Sequence, residues 1–162
     1  MPSKHGDRTG RKVQEVIAAL LNELGASRVT VRQPKDDGRF HVTFEALAEG
    51  VATIRGLVSP NQHTQPVVQE VLRGNQVVQD DCRHASDSPD FQEMLRRYGG
   101  LRAQIVTPIV GPEGIEGILS VHQLGAPRAW TSLAVAACQG AATEIGDRWR
   151  ARSGEDAKPN PG

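Results

Sequence analysis

The chain is short of cysteine, of aromatic side chains and of any excess charge, and each shortage removes a class of protein. Cys82 and Cys138 are its only cysteines, they lie far apart, and no CxxC or CxxH spacing accompanies them. Neither a zinc site nor a disulfide framework is indicated, and a reducing cytoplasm is the expected setting. Basic and acidic side chains balance at 19 each, so the positive field that draws a polyanion is missing and no nucleic-acid partner is expected. Long apolar runs are missing as well. Met1 to Arg11 carries charge and glycine with no hydrophobic segment behind it, so neither an export signal nor a membrane span is read there.

What is present suffices for one soluble domain. A chain of this length can bury a real core without staples, and no internal repeat or low-complexity linker divides it. The segments 1–10 and 151–162 are rich in Gly, Pro, Ser and charge and read as disordered tails around a folded part, 11–150.

Val13, Val16, Ile17, Leu20, Leu21 and Leu24 recur at spacings of three and four, which predicts a helix with one apolar face, stopped by Gly25. Arg28 to Gln33 alternates polar and apolar residues, Pro34 to Gly38 carries turn chemistry and Phe40 to Phe44 resumes with β-formers, so a hairpin follows. Val51 to Ile54 reads as a further short strand. Thr64 is the expected cap of a helix that tolerates Pro66 in its first turn, buries Val67, Val68, Val71 and Leu72, and ends at Gly74. A strand over Gln76 to Gln79 leads into the polar segment Asp80 to Asp87. Ser88-Pro-Asp-Phe91 opens another helix, with Met94, Leu95 and Tyr98 on it, before Gly99 and Gly100. Leu101 to Val110 and Ile115 to Leu124 flank Gly111-Pro-Glu-Gly114, a hairpin signal, and read as central strands. Trp130, Leu133, Ala137, Ala141, Ile145 and Trp149 then line one side of a long last helix capped by Thr131 or Ser132. Hairpins imply an antiparallel sheet that helices must cover, so the class is α+β.

Taken in order, Leu101-Arg-Ala, Thr107-Pro-Ile109, Gly117-Ile-Leu-Ser-Val-His-Gln123 and Ala126-Pro-Arg-Ala-Trp130 resemble the V-R-A strand start, P-I pair, W-G-L-L-x-x-H-Q strand and A-P-R-x-W helix entry of phytochrome-like GAF domains. Val71-Leu-Arg-Gly-Asn-Gln-Val-Val-Gln-Asp80 resembles the helix, glycine turn and strand that lead to the pocket of such domains. The resemblance spans Val13 to Trp149. It implies a PAS-like GAF fold with the first and last helices on one face of a central antiparallel sheet and a ligand pocket under short helices and loops on the other. In bilin-binding relatives a Cys-His pair precedes V-R-A. Counting back from Leu101 to that place lands on Phe91 and Gln92, so no covalent bilin is expected. Cys82, in Asp80-Asp-Cys82, resembles a second-cysteine motif of some cyanobacterial photoreceptors, at too short a spacing.

If Leu119 and Val121 face the helices, strand alternation turns Ser120 and His122 to the pocket. The same logic separates Gln104, Val106 and Pro108 from Ile105, Thr107 and Ile109 without saying which set meets the ligand. The resemblance makes His122 a candidate ligand contact, since its imidazole both donates and accepts; a structural histidine satisfied by a carbonyl is the other reading. Phe91, Met94 and Tyr98 share a helix face over the pocket, either as a lining for a flat ligand or as plain core. Asp80, Asp81, Cys82, Arg83 and His84 gather polar chemistry at the pocket mouth, where a thiolate beside Arg83 and His84 would ionise easily; a solvated loop is the plainer reading, and no metal site is assigned. Cys138, among alanines, is a core or interface residue. His41 and Gln104 either reach the cavity or face water. The ligand-binding set is therefore His122, Phe91, Tyr98, Met94, Gln104, Ser120, Asp81 and Cys82, with no catalytic residue.

Ala134, Ala137, Gly140 and Ala141 allow close helix approach, so a homodimer through the first and last helices is expected. The function that follows is a bacterial, cytoplasmic sensory domain, stand-alone or excised. It would bind a small molecule whose identity stays open and act through a helical dimer interface or a signalling protein, with no nucleic acid or membrane as partner. A scaffold with a vestigial pocket is the alternative. A thiol-dependent reductase of free methionine sulfoxide is another, but Cys138 lies on the wrong helix to resolve a disulfide with Cys82.

Overall fold

The apolar stripe at helical spacing forms the first element of the computed structural model, which describes residues 4–157 and the side chains of residues 8–152. Helix α1, Lys4–Leu24, buries Val13, Ile17, Leu20 and Leu21 and stops where Gly25 adopts a positive φ of 57°. The chain continues through β1, Arg28–Pro34, and β2, Phe40–Leu47. A long irregular segment then reaches a 3-10 turn at Gln62–Thr64 and helix α2, Pro66–Leu72. Strand β3 is Val77–Gln79, and a 3-10 turn at Cys82–His84 precedes α3, Pro89–Arg97. Strands β4, Leu101–Gly111, and β5, Gly114–Leu124, form the predicted hairpin, and α4 is Ser132–Ala157.

All strand pairs are antiparallel, in the order β2-β1-β5-β4-β3. Helices α1 and α4 lie together on one face. Their core joins Val13, Ile17, Leu20 and Ile145 to Val29 and Val31 of β1, Ile105 and Ile109 of β4, and Leu119 and Val121 of β5. Each such aliphatic side chain, once buried, contributes about 1.5–3 kcal/mol, so this layer is the main source of stability. Gly117 permits its closest contact: a Cβ there would stand 3.0 Å from the Arg32 carbonyl oxygen and 3.0 Å from the Trp149 ring. The opposite face of the sheet is covered by α2, α3 and the irregular segment, with smaller clusters around Phe40, Val71, Val106 and Ile118 and around Phe91, Leu95 and Leu101.

Several expectations need correction. Val51 to Ile54 is not a strand, because side chains rather than a neighbouring strand satisfy its backbone: Arg28 Nη2 donates to the Ala52 carbonyl at 2.9 Å and the Ile54 amide to Glu45 Oε2 at 2.9 Å. Gln65, not Thr64, caps α2, while Thr64 Oγ1 donates back to the Asn61 carbonyl. Leu133 does not join the buried stripe of α4; it is 81% exposed, and Ala134, Cys138, Ala141, Ala142 and Ile145 are the buried residues. The helices also extend beyond the limits read from composition, since α1 begins at Lys4 and α4 continues to Ala157. The rest of the expected tails, 1–3 and 158–162, lies outside the described residues. Among the described residues no helix is long and apolar enough to cross a membrane.

Candidate functional site

The alternation Arg28-Val-Thr-Val-Arg32 divides β1 cleanly. Val29 and Val31 enter the helix-side core, so Arg28, Thr30 and Arg32 face the other way. Because the irregular segment and the ends of α2 and α3 cover that other face, it is not solvent: Arg28 is 1% exposed and Arg32 6%. The register with β5 sets Arg28 opposite His122, Thr30 opposite Ser120 and Arg32 opposite Ile118. A polar column thus runs across the middle of an otherwise apolar sheet.

Above this column lies an inner cavity of about 60 Å³, lined by Arg32, Gln104, Ile118, Ser120 and His122 from the sheet, Val67, Val68 and Val71 from α2, Gln62 and Gln65 beside it, and Met94 and Tyr98 from α3 and its end. An outer cleft of about 300 Å³ opens between residues 56–61 and α3. Ser59, Met94 and Tyr98 line both spaces and stand between them.

Hydrogen bonds tie floor to roof. Arg28 Nη1 donates to the Tyr98 carbonyl at 3.0 Å and to His122 Nδ1 at 3.1 Å. Arg32 donates to the Phe40 and Leu57 carbonyls, both at 3.1 Å, and to the Tyr98 hydroxyl at 2.9 Å. The Tyr98 ring stacks on His122 with centroids 5.8 Å apart. Gln62 holds the Phe40 backbone by both its amide groups, accepting at 2.8 Å and donating at 2.9 Å.

Arginine only donates, so His122 Nδ1 must accept from Arg28, which puts the imidazole proton on Nε2. Burial, then the adjacent Arg28 and Arg32, hold the His122 pKa well below its ordinary value, so the ring is neutral at physiological pH. Its Nε2–H and the Ser120 hydroxyl make no protein hydrogen bond among the described residues, though both residues line the cavity. Among the described residues the polar side-chain atoms buried without a partner are Arg28 Nε and Thr30 Oγ1, on the same sheet face. Unsatisfied buried polar groups are rare in folded proteins, and each calls for a partner.

Of the residues singled out from sequence, His122, Ser120, Gln104, Met94 and Tyr98 line this one cavity. The others lie elsewhere. Phe91 is 3% exposed and packs with Cys82, Leu95 and Leu101 in a small core, against which Met94 and Tyr98 also pack, and it does not line the cavity. Cys82 is fully buried there, with Sγ 3.5 Å from Gln79 Oε1. Burial, followed by the Asp81 charge, pushes its pKa up to about 12, so it is not an easily ionised thiol despite Arg83 and His84 nearby. Asp81 is engaged by Arg102 at 2.9 Å and by the Arg83 amide, and these contacts bring its pKa down to about 2. His41 bonds Asp37 on the β1–β2 hairpin, away from the cavity. Among the described residues no cluster could hold a metal ion.

Sequence reasoning missed Arg28, Arg32 and Gln62. The available signal was the pair of arginines on one face of a strand whose partner carries Ser120 and His122.

The GAF domain family matches the chain over residues 11–148. No curated protein sequence matches it. Among solved structures, the GAF domain of Thermosynechococcus elongatus PixJ in its blue-light absorbing form is similar, at a TM-score of 0.83 and 21% identity over 96% of this chain and 94% of that one. GAF3 of Slr1393 from Synechocystis sp. PCC6803, in its photoproduct state, gives 0.78 and 17% over 93% and 99%. The far-red absorbing dark state of JSC1_58120g3 with bound biliverdin IXα gives 0.72 and 19% over 91% and 98%. At these identities the likeness is one of fold. With the family matched over most of its length, a five-stranded antiparallel sheet between two helical layers and a cavity in the expected place, the chain belongs to the GAF domain family.

Proposed function

We propose that this chain is a cytoplasmic sensory domain that takes a small molecule into its inner cavity and relays occupancy to the α1–α4 layer, where a second copy docks. The observation that carries the reading is the set of hydrogen-bonding groups around that cavity, His122 Nε2–H and the Ser120 hydroxyl, which have no protein partner. A vestigial pocket would be expected to fill with side chains that satisfy one another.

A physical route from cavity to helix supports the relay. Gln104 Nε2, at the cavity, donates to Gln79 Oε1 at 2.8 Å, and the Gln79 carbonyl accepts from Trp130 Nε1 at 3.1 Å just before α4. Arg128 and Trp130 are further fixed to Asp80 through their backbone amides. A ligand that displaces Gln104 therefore strains the entry to α4 directly. The groove between α1 and α4, floored by Val16, Ala19, Leu20, Ala137, Gly140 and Ala141 with Lys12, Glu15, Glu144 and Arg148 on its margins, suits a self-complementary contact.

A covalently held bilin does not fit the residues present. Supporting this, both cysteines are fully buried, the inner cavity is about 60 Å³, and Phe91, to which the count back from Leu101 leads, packs in a small core. Thiol-dependent reduction of methionine sulfoxide is disfavoured for a related reason, since burial first of all pushes both thiols up to about 12.

Native mass spectrometry of freshly purified protein tests the reading. A dimer retaining a noncovalent small molecule, or gaining one with a rise in melting temperature, is the expected result. A monomer, or a dimer that stabilises with no compound across amino-acid metabolites, nucleotides and organic acids, would favour the scaffold.

A further inference from the structure

We propose that the inner cavity selects a short-chain organic carboxylate, with Arg32 as its counter-charge and the His122 Nε2–H and Ser120 hydroxyl as neighbouring donors. This inference rests on the reading that the cavity holds a ligand, and it adds the charge and size of that ligand.

Arginines at the surface and in the interior differ in their partners. Exposed ones are matched by carboxylates, as Arg96 is by Glu93 and Arg150 by Asp147. The two most buried ones are not. Every hydrogen-bond acceptor of Arg28 and Arg32 is neutral: backbone carbonyls, the His122 ring and the Tyr98 hydroxyl. Among the described residues neither forms an ion pair with a carboxylate. A buried cation without a carboxylate in contact is costly; Arg28 feels the charge of Glu45 without pairing with it, and Arg32, on the same strand face, lines the cavity.

That space has no acidic side chain on its wall, and Arg32 is its one formally charged lining residue. Donors exceed acceptors around it. The Arg32 bonds to protein use three of the five guanidinium N–H groups, leaving two for a guest. His122 adds Nε2–H and Ser120 its hydroxyl, and the partnerless Arg28 Nε and Thr30 Oγ1 lie behind them on the same sheet face. A wall that offers several donors beside a buried cation suits an oxyanion, and the glutamine side chains that also line it can turn either group to the guest. Val67, Val71, Val106 and Ile118 give the wall an apolar side, which favours a hydrocarbon tail over a fully polar ion such as inorganic phosphate. A cavity of about 60 Å³, at about 15 Å³ of such space per water, holds roughly four waters, so the guest is small, on the order of four to six non-hydrogen atoms.

The test uses the full chain at constant ionic strength, titrated with butyrate, 2-oxobutyrate, the neutral isostere butyramide and inorganic phosphate. Calorimetry and thermal shift should register at least one of the two carboxylates, with butyramide and phosphate silent. Arg32→Gln should weaken binding at least tenfold. If that variant does not fold by circular dichroism, Ser120→Leu, which fills the cavity and leaves Arg32 in place, should abolish binding instead. Imidazole NMR gives an independent readout, because an anion beside His122 should shift its titration towards higher pH. Equal binding of butyramide, binding of phosphate alone, or failure of both carboxylates overturns the proposal. If a neutral compound is retained in native mass spectrometry, the charge selection falls while the sensory reading stands. Absence of any retained or added ligand removes both.

Discussion

Acidification is the perturbation whose outcome the site fixes most sharply. His122 is held neutral in the folded protein by burial and then by Arg28 and Arg32, whereas in the unfolded chain it titrates near its ordinary value of 6.5. Below pH 6.5 the unfolded state therefore binds a proton that the folded state refuses. Stability is at its full value above that pH and declines as pH falls towards the folded-state pKa. Each pH unit in this window removes about 1.4 kcal/mol. For a chain of this length that is a fall in melting temperature of roughly 3–6 °C per unit. The other resolved shifts among described carboxylates act lower: Asp37 and Asp81, both near 2 in the folded state, lose their contribution only as pH falls below the ordinary value of 3.8, and Glu70 and Glu93, lowered by their hydrogen bonds, only below 4.5. Between pH 6.5 and 5.5 the slope therefore belongs to His122. Urea unfolding at half-unit steps from pH 7.5 to 5.5 should show a plateau followed by the decline. His122→Gln, which keeps an acceptor for Arg28, should flatten it. A wild-type stability constant across the range, or a slope unchanged in the Gln variant, would refute the electrostatic account of the floor.

Two other outcomes follow from packing. Native protein at pH 8 should leave both cysteines unmodified by Ellman's reagent, because both are fully buried with thiol pKa values near 12, and both should react on unfolding; fast labelling of Cys82 in the native state would show that the Phe91 core opens. Gly117→Ala should cost about 1–3 kcal/mol, since the new methyl meets the Arg32 carbonyl and the Trp149 ring at 3.0 Å. A shift in tryptophan emission should accompany the loss, and an unchanged denaturation midpoint would contradict the close approach.

The elements most legible in the sequence were those whose pattern has one physical cause. The stripe from Val13 to Leu24 could only be the inner face of a helix, and the two β-rich runs around Gly111 to Gly114 could only be a hairpin. Alternation along β5 likewise fixed that Ser120 and His122 share a face opposite Leu119 and Val121. Leu133 escaped because an alanine-rich helix offers two stripes of similar period, and the sheet accepts the smaller residues, Ala134 and Cys138. The segment from Ala48 to Asn61 escaped because Arg28, Arg32 and Glu45 satisfy its backbone from a distance in sequence. Arg28 and Arg32 themselves look like the solvent side of an edge strand. Alternation says that two faces differ, and only the segment that folds back over Arg28 and Arg32 says that neither face is wet.

The reach of Arg28 has a mechanical consequence. One guanidinium grips the Ala52 and Tyr98 carbonyls together with the His122 ring, so the irregular segment, the end of α3 and β5 are fastened at a single point on β1. Pulling any one of them away strips the same ion of part of its shell and loosens the remainder. Partial opening is therefore penalised at each of the three fastenings.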